Sequence, residues 1–346
     1  MNTNNIKSFA KQARLILIEG VKQRLLYWGF DENGNTTAEV NPTVGGYEFR
    51  GAIFTDESVP PKWNKLKTKL NNKQAVQDTI EEAAYTWFNR IMAIKILEKR
   101  GYIPPTLDYV SDLKIPQIVQ EAKRGQHQLK QQKYVNLLQE YLLEDKEEQA
   151  LGLLLTRLCN NNTVIHDVFG RIDDYTEILL PTNLLARNGI IDLLNSDALE
   201  ESQYQEVELI GWLYQFYISD KKDEVFKGFK ANKKARPEDI PAATQIFTPK
   251  WIVKYMVENT VGKIYLDYDK TSDLKSEMKY LVESEAVIPS EVEGEIIHNS
   301  QFIIHNLEEL TLIDPASGSG HILVTGFELL FKMYREQGYT AKNAVI

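Results

Sequence analysis

Cysteine and other common metal ligands are scarce in this sequence. Cys159 is the single cysteine among 346 residues, which excludes an intramolecular disulfide and a thiolate metal cluster. His127 and His166 are far apart and have no His or Cys at ligand spacing, so we predict no metal site. Cys159 itself is expected to be a small buried apolar residue in a protein of a reducing compartment.

Long hydrophobic runs are also absent. The first residues intersperse Asn, Lys, Gln and Glu with apolar residues, unlike the uninterrupted apolar centre of a signal peptide. No apolar run approaches the roughly 20 residues that a membrane-spanning helix needs. These absences predict a cytoplasmic protein with no membrane partner.

Positive charge is in deficit over the whole chain. There are 40 Lys and Arg residues against 49 Asp and Glu, which gives a formal net charge of −9. A protein that is basic overall is therefore excluded, and any contact with nucleic acid must be local. Because 346 residues exceed one average domain and 43% of them are hydrophobic, we expect two domains, each with a core.

Alternating strand patterns are missing from residues 115–218, where apolar residues recur at helical spacing instead. The strongest helix pattern covers residues 75–100 and predicts that Trp87 lies in the core. Only residues 47–54 suggest a short strand. We therefore predict a mainly α-helical N-terminal domain over residues 1–220.

The composition changes in residues 221–243, which we interpret as a basic linker. Four of its lysines are the best DNA-facing candidates in the chain: Lys227, Lys230, Lys233 and Lys234. A role as a solvated connector explains the same residues at least as well, since runs of like charge are usually solvated.

A Phe-Thr-Pro segment at residues 247–249 begins a helix pattern. Thr248 suits the N-cap, Pro249 suits the first helical position, and Gly262 is expected to end the helix. The exposed amides at such a helix start can line a small-molecule pocket, although simple capping explains the same residues.

A second glycine-bearing segment occupies residues 310–320, after a predicted polar insertion at about residues 267–300. Its apolar start, residues 310–313, predicts a buried strand that leads into a tight turn and a helix. Gly318 and Gly320 remove side chains where a backbone approaches a ligand. Without a third spaced glycine, this turn by itself is weak evidence for a ligand site.

Together and in this order, the two segments resemble the cofactor-binding motifs of adenine-specific DNA methyltransferases. In that family a Phe-Thr-Pro motif precedes an Asp-Pro-Ala-Cys-Gly-Ser-Gly motif, and Ser317 here replaces the usual cysteine with another small side chain. The resemblance implies that S-adenosylmethionine binds with its methionine end against the first motif and with the second motif around it. It assigns cofactor binding to Phe247, Thr248, Pro249, Asp314, Pro315, Ala316, Ser317, Gly318, Ser319 and Gly320.

Residues 84–91 and 211–215 resemble the helical region of PglX-type methyltransferases of BREX phage-defence systems. The resemblance thus extends over nearly the whole chain, and type I modification subunits and type IIG enzymes with a similar layout remain alternatives. It implies that residues 244–346 begin an α/β Rossmann-like methyltransferase domain. Double-stranded DNA would be the substrate, and other BREX proteins would be possible partners.

The family's Asn-Pro-Pro-Tyr or Asn-Pro-Pro-Phe motif, which acts on the flipped adenine, does not occur in this sequence. We therefore predict no catalytic residue in the chain and expect an N-terminal portion of a longer enzyme, inactive by itself. A different class of function, a non-catalytic helical scaffold that binds DNA or partners, is the alternative. A nucleotide-dependent oxidoreductase would need a third spaced glycine and a complete parallel sheet.

Overall fold

The computed structural model describes residues 3–110, 114–234, 236–244, 247–282, 304–315 and 317–345, without the side chains of residues 238 and 241. The chain forms two compact units, Met1–Glu206 and Val207–Ile346. Among the described residues, no helix is both long enough and apolar enough to cross a membrane. The helical content of the described residues is compatible with the predicted mainly α-helical N-terminal domain.

The first unit is built on two long helices that pack along each other. Its helices are α1 (Thr3–Tyr27), α2 (Val59–Lys69), α3 (Lys73–Lys99), α4 (Gln117–Lys123), α5 (Gln132–Leu143), α6 (Glu147–Asn161), α7 (Thr163–Phe169), α8 (Tyr175–Ile178) and α9 (Ile190–Leu194), followed by a 3₁₀ turn (Glu201–Gln205). Helices α1 and α3 contact each other along their apolar faces, which buries the amphipathic stripes seen in the sequence.

Buried tryptophans connect distant parts of this unit. Trp87 is fully buried, as predicted, and its indole N–H donates to the Thr176 carbonyl at 2.9 Å. Trp28 donates to the Ile178 carbonyl at 2.7 Å. Each indole thus satisfies its polar atom inside the core, and together they fix α8 against α1 and α3.

A small antiparallel sheet occupies the region in which one short strand was predicted. It has the order β1 (Asn41–Thr43), β2 (Gly46–Phe49) and β3 (Ala52–Phe54). The β2–β3 turn places Arg50 and Gly51 at φ 51° and 79°, the left-handed pair that a tight hairpin turn uses.

The described part of the second unit contains six helices and several single turns. The helices are α10 (Leu209–Tyr217), α11 (Ser219–Lys230), α12 (Ile240–Thr244), α13 (Lys250–Val257), α14 (Lys263–Tyr268) and α15 (His321–Glu336). A π turn (Glu258–Gly262) joins α13 to α14, and 3₁₀ turns lie at Pro237–Asp239, Asp273–Glu277 and Leu307–Glu309. Tyr265, Leu274, Leu310 and Met333 belong to its core.

Three expectations for this unit differ from the structure. Gly262 does not end a helix, because the chain continues through the π turn into α14, and a Cβ at Gly262 would lie 2.8 Å from the Met278 sulfur. The glycine permits close packing rather than a stop. The N-cap position belongs to Pro249 instead of Thr248. Residues 221–230 of the interpreted linker are helical, as part of α11.

The strand predicted at residues 310–313 is not paired with another strand in the part of the chain that the structure describes. A Rossmann-like sheet is therefore not seen there, because a strand needs hydrogen-bonding neighbours and local sequence cannot supply them. Of the predicted polar insertion, residues 283–300 lie outside the described residues. Leu274 and Met278, in its first part, are core residues.

Candidate functional site

The glycine turn sits at the start of α15. Gly318 and Gly320 have φ of 53° and 75°, a left-handed conformation that glycine adopts without strain. The Gly320 N–H donates to the Ser317 carbonyl at 2.7 Å and closes the turn. A Cβ at Gly320 would meet no described atom within 4 Å, so the turn is open to an approaching ligand.

Phe247, the first residue of the Phe-Thr-Pro segment, is held by contacts of both its backbone and its ring. Its backbone N–H donates to the Gln215 side-chain oxygen at 2.7 Å, and its ring meets that of Trp212 edge-on at 4.9 Å between centroids. A Cβ at Gly211 would lie 2.0 Å from the Phe247 ring. Gly211, Trp212 and Gln215, from a segment that carried part of the resemblance, therefore contact Phe247.

His321 joins the two segments. Its Nε2 lies 3.0 Å from the Thr248 carbonyl oxygen, and its Nδ1 lies 3.0 Å from the Ser319 hydroxyl. Its ring also packs on Phe247 at 4.3 Å between centroids. The sequence interpretation gave His321 no role, and its position directly after the glycine turn was the only available signal.

Asp314 and Pro315 line a pocket of about 370 Å³ between the residue 310–315 segment and the α13–α14 helices. The other described lining residues include Met256, Thr260 and Ile322, and Asp314 is the only ionisable one among them. A mostly apolar pocket with one carboxylate suits a small organic ligand that carries a cationic or hydroxyl group.

The structure brings Phe247, Thr248 and Ser319 together around His321, whereas the described pocket lining contains Asp314 and Pro315 and none of the other predicted cofactor residues. Phe247 and Thr248 reach the glycine turn through His321, while Pro249 caps α13 and Asp314 borders the pocket. Ala316 lies outside the described residues. The glycines and Asp314 fit S-adenosylmethionine chemically, because the first allow a close backbone approach and the second pairs with a cationic amine.

The candidate DNA-binding lysines lie on and just after α11. Lys227, Lys230, Lys233 and Lys234 are all exposed. Two partly exposed phenylalanines accompany them, Phe226 and Phe229, whose rings pack edge-on at 5.6 Å. Lysines interleaved with exposed aromatic rings are typical of surfaces that contact nucleic acid.

Neither a metal-ligand cluster nor a reactive cysteine is found among the described residues. The described residues contain no cluster of three or more His, Cys, Asp or Glu side chains that could hold a metal ion. Burial raises the pKa of the Cys159 thiol to about 12, so this cysteine is a packing residue and not a nucleophile.

Comparison with curated proteins finds two homologues that match almost the whole chain. The adenine-specific methyltransferase BrxX of Escherichia coli O9:H4 (strain HS) is 36% identical over 349 residues, which cover 99% of this chain and 28% of BrxX. The adenine-specific methyltransferase PglX of Lacticaseibacillus casei (strain Zhang) is 32% identical over 366 residues, which cover 99% of this chain and 30% of PglX. No family model matches the chain. The chain therefore spans under a third of the length of these relatives.

Proposed function

Because the chain is homologous to the BrxX and PglX adenine-specific methyltransferases, we propose that it is the cofactor-binding part of a DNA adenine N6-methyltransferase. The contact of the Phe-Thr-Pro segment with the glycine turn carries the proposal. His321, directly after the glycine turn, is 73 residues from Thr248 in sequence, yet its Nε2 lies 3.0 Å from the Thr248 carbonyl oxygen. The resemblance implies that S-adenosylmethionine binds between these segments, and their contact supports that proposal.

The proposed cofactor supplies a methyl group on a positively charged sulfur. The chain's own part is to bind and orient that molecule. The Asp314 carboxylate would accept hydrogen bonds from the cationic amino group, Gly318 and Gly320 would let the backbone of the turn approach the ligand closely, and the buried Phe247 ring holds the Thr248–Pro249 peptide in place. Alignment of the methyl group and exclusion of water are then the main contributions to rate.

The DNA substrate is proposed to contact the α11 lysines through its phosphates. Adenine must leave the base stack before its amino group can be methylated. The Asn-Pro-Pro-Tyr or Asn-Pro-Pro-Phe motif for that step is absent from these 346 residues. We therefore propose that the chain binds cofactor and contributes to DNA binding without itself catalysing transfer.

The biological role proposed is the marking of host DNA in phage defence of the BREX type, with other defence proteins as partners. Its support is the homology along 99% of the chain. A scaffold function is the second candidate. One observation favours a scaffold function: none of the proposed cofactor residues lies in the first unit, Met1–Glu206.

Calorimetry with S-adenosylmethionine tests the proposal. We expect the chain to bind the cofactor and Asp314→Asn to weaken binding by roughly 10- to 100-fold, because a charge-assisted hydrogen bond contributes about 1.5–3 kcal/mol. Asp267→Asn, which removes an exposed carboxylate on α14, is the matched control and should bind normally. Absence of binding by the unaltered chain would leave only the scaffold function.

A further inference from the structure

We infer that His321 is a positioning residue that clasps the Phe-Thr-Pro segment to the glycine turn, with Nε2 as the hydrogen-bond donor to Thr248. The inference rests on the proposed cofactor role of these two segments. It adds a residue and a hydrogen-bond direction that the motifs do not contain.

The hydrogen-bond partners determine the tautomer. The Thr248 carbonyl oxygen, 3.0 Å from Nε2, can only accept. Nε2 must therefore donate, and in the neutral ring Nδ1 is left with a lone pair. The Ser319 hydroxyl, 3.0 Å from Nδ1, donates to that lone pair. One directed chain of hydrogen bonds thus runs from Ser319 through His321 to Thr248.

Packing keeps the clasp in place. His321 is only 8% exposed, and its ring lies against Phe247 with 36° between the ring planes. Trp212 packs against Phe247 as well, and Gly211 lies so close that a Cβ there would overlap the ring. Phe247 is therefore held by contacts from α10 and from α15, with little room to adjust.

The clasp matters because cofactor sites depend on small distances. His321 bonds the Thr248 carbonyl to the turn, and a displacement of about 1 Å is enough to impair a bound reactant's alignment. His321 acts through Thr248 and Ser319 rather than by touching the reacting atoms, so its loss should change the arrangement of both segments.

Three substitutions separate the contributions of the ring. His321→Gln places an amide nitrogen near the Nε2 position and keeps the bond to Thr248. His321→Asn places its amide near the Nδ1 position and keeps only the Ser319 side. His321→Phe keeps the stacking on Phe247 and removes both hydrogen bonds. Glu328→Gln, at an exposed position of α15, is the control.

Nuclear magnetic resonance of the full chain provides readouts that need no cofactor. The ¹⁵N signals of His321, assigned by their loss in His321→Gln, should show a protonated Nε2 and an unprotonated Nδ1 in the neutral ring. A fluorine label on Phe247 should give one narrow signal in the unaltered chain, in His321→Gln and in Glu328→Gln. It should be shifted or broadened in His321→Asn and His321→Phe.

Cofactor affinity provides the second readout. We expect His321→Gln to bind S-adenosylmethionine like the unaltered chain and His321→Asn to bind roughly tenfold more weakly, the effect of one lost hydrogen bond. A proton on Nδ1 instead of Nε2, or identical fluorine spectra for the Gln and Asn variants, would overturn the inference. If the unaltered chain fails to bind cofactor, the proposed function fails, and the spectra still decide the clasp.

Discussion

Gly211 shows how a single missing side chain supports the candidate site. It lies inside α10, where glycine is unfavourable for helix stability. The Phe247 ring occupies the space that a side chain would need, since a Cβ at Gly211 would lie 2.0 Å from the ring. The cost of glycine in the helix is therefore offset by the burial of a large aromatic ring.

We predict that Gly211→Ala destabilises the chain by about 1–3 kcal/mol, despite the better helix propensity of alanine, because overpacking displaces Phe247. Urea unfolding measures the change. Gly228→Ala in α11 is the matched control, since its Cβ would come no closer than 3.8 Å to another residue. That control should be neutral or stabilising by up to about 1 kcal/mol. Equal effects of the two substitutions would show that Phe247 is not seated on Gly211.

The second feature at the residue scale is a buried ion cluster at the end of α3. Lys95 is fully buried in α3 and pairs with Asp108, which also pairs with Lys99 at 3.1 Å. Glu98 accepts hydrogen bonds from the Leu107 and Asp108 amides, at 2.9 Å each. Desolvation alone would raise the pKa of Asp108, but its hydrogen bond and charge interaction with Lys95 outweigh desolvation and lower it. The cluster fixes residues 107–108 to the end of α3.

Asp108→Asn should cost about 3 kcal/mol of unfolding free energy at neutral pH, because it leaves the buried Lys95 without its nearest carboxylate. The pH dependence should change too. A carboxylate with a lowered folded-state pKa stabilises above its unfolded pKa, and that stability is lost as the pH falls through the folded-state value. Unfolding measured from pH 6 to about 2 should therefore show a shallower acid loss in Asp108→Asn than in Asp267→Asn. Identical slopes would contradict the role given to Asp108.

At the scale of elements, α11 turns a run of charges into a defined surface. The sequence interpretation placed the lysines in a linker, whereas Lys227 and Lys230 are carried by a helix. Helical spacing puts Lys222, Phe226, Phe229 and Lys230 on one face, and the Lys222 ammonium lies 6.0 Å from the Phe226 ring centre. Fixed geometry of this kind suits repeated contacts to a phosphate backbone better than a mobile chain does.

Replacing Lys227, Lys230, Lys233 and Lys234 with Gln should weaken DNA binding and flatten its dependence on salt. Each lost phosphate contact reduces the slope of log K against log salt concentration by about 0.9 for duplex DNA. Fluorescence anisotropy at several salt concentrations measures the slope. A control variant neutralises four exposed lysines of the first unit: Lys7, Lys22, Lys65 and Lys130. If the slope is unchanged in the variant that lacks these four lysines, their side chains do not contact DNA phosphates.

At the scale of the whole molecule, the two units carry different parts of the proposed function. The proposed cofactor residues lie in the unit Val207–Ile346, and the unit Met1–Glu206 is a helical body with its own core. The relatives are between three and four times as long as the aligned chain, since it covers 28% and 30% of them. Cofactor binding by these 346 residues can therefore be measured separately from methyl transfer.

We predict that the chain does not transfer methyl groups to DNA even when saturated with cofactor, since the adenine-binding motif is absent from its sequence. Incorporation of a tritiated methyl group into duplex DNA measures the activity. The Lacticaseibacillus casei PglX is a suitable positive control, as an adenine-specific methyltransferase by name. Incorporation above background by the chain would show that it carries a catalytic residue outside the Asn-Pro-Pro-Tyr or Asn-Pro-Pro-Phe motif.

The sequence by itself determined the helical character of the chain, the burial of Trp87 and the resemblance to adenine-specific methyltransferases. These follow from local periodicity and from short motifs, which contain their information within a few residues. The homology along 99% of the chain confirms the resemblance. The strand predicted at residues 310–313 is not paired in the described part of the chain, because strand pairing depends on partners distant in sequence that local patterns do not contain.

Only the tertiary structure decided how the motifs meet. It placed Phe247 on Gly211, used Gly262 for packing against Met278 and set His321 between Thr248 and Ser319. Nothing within a short window of sequence specifies the contacts of Phe247 with Gly211, Gly262 with Met278 or His321 with Thr248, since each joins segments whose packing sets the distance between them. The two motifs are readable from the sequence, whereas the histidine that joins them becomes evident only when the chain is folded.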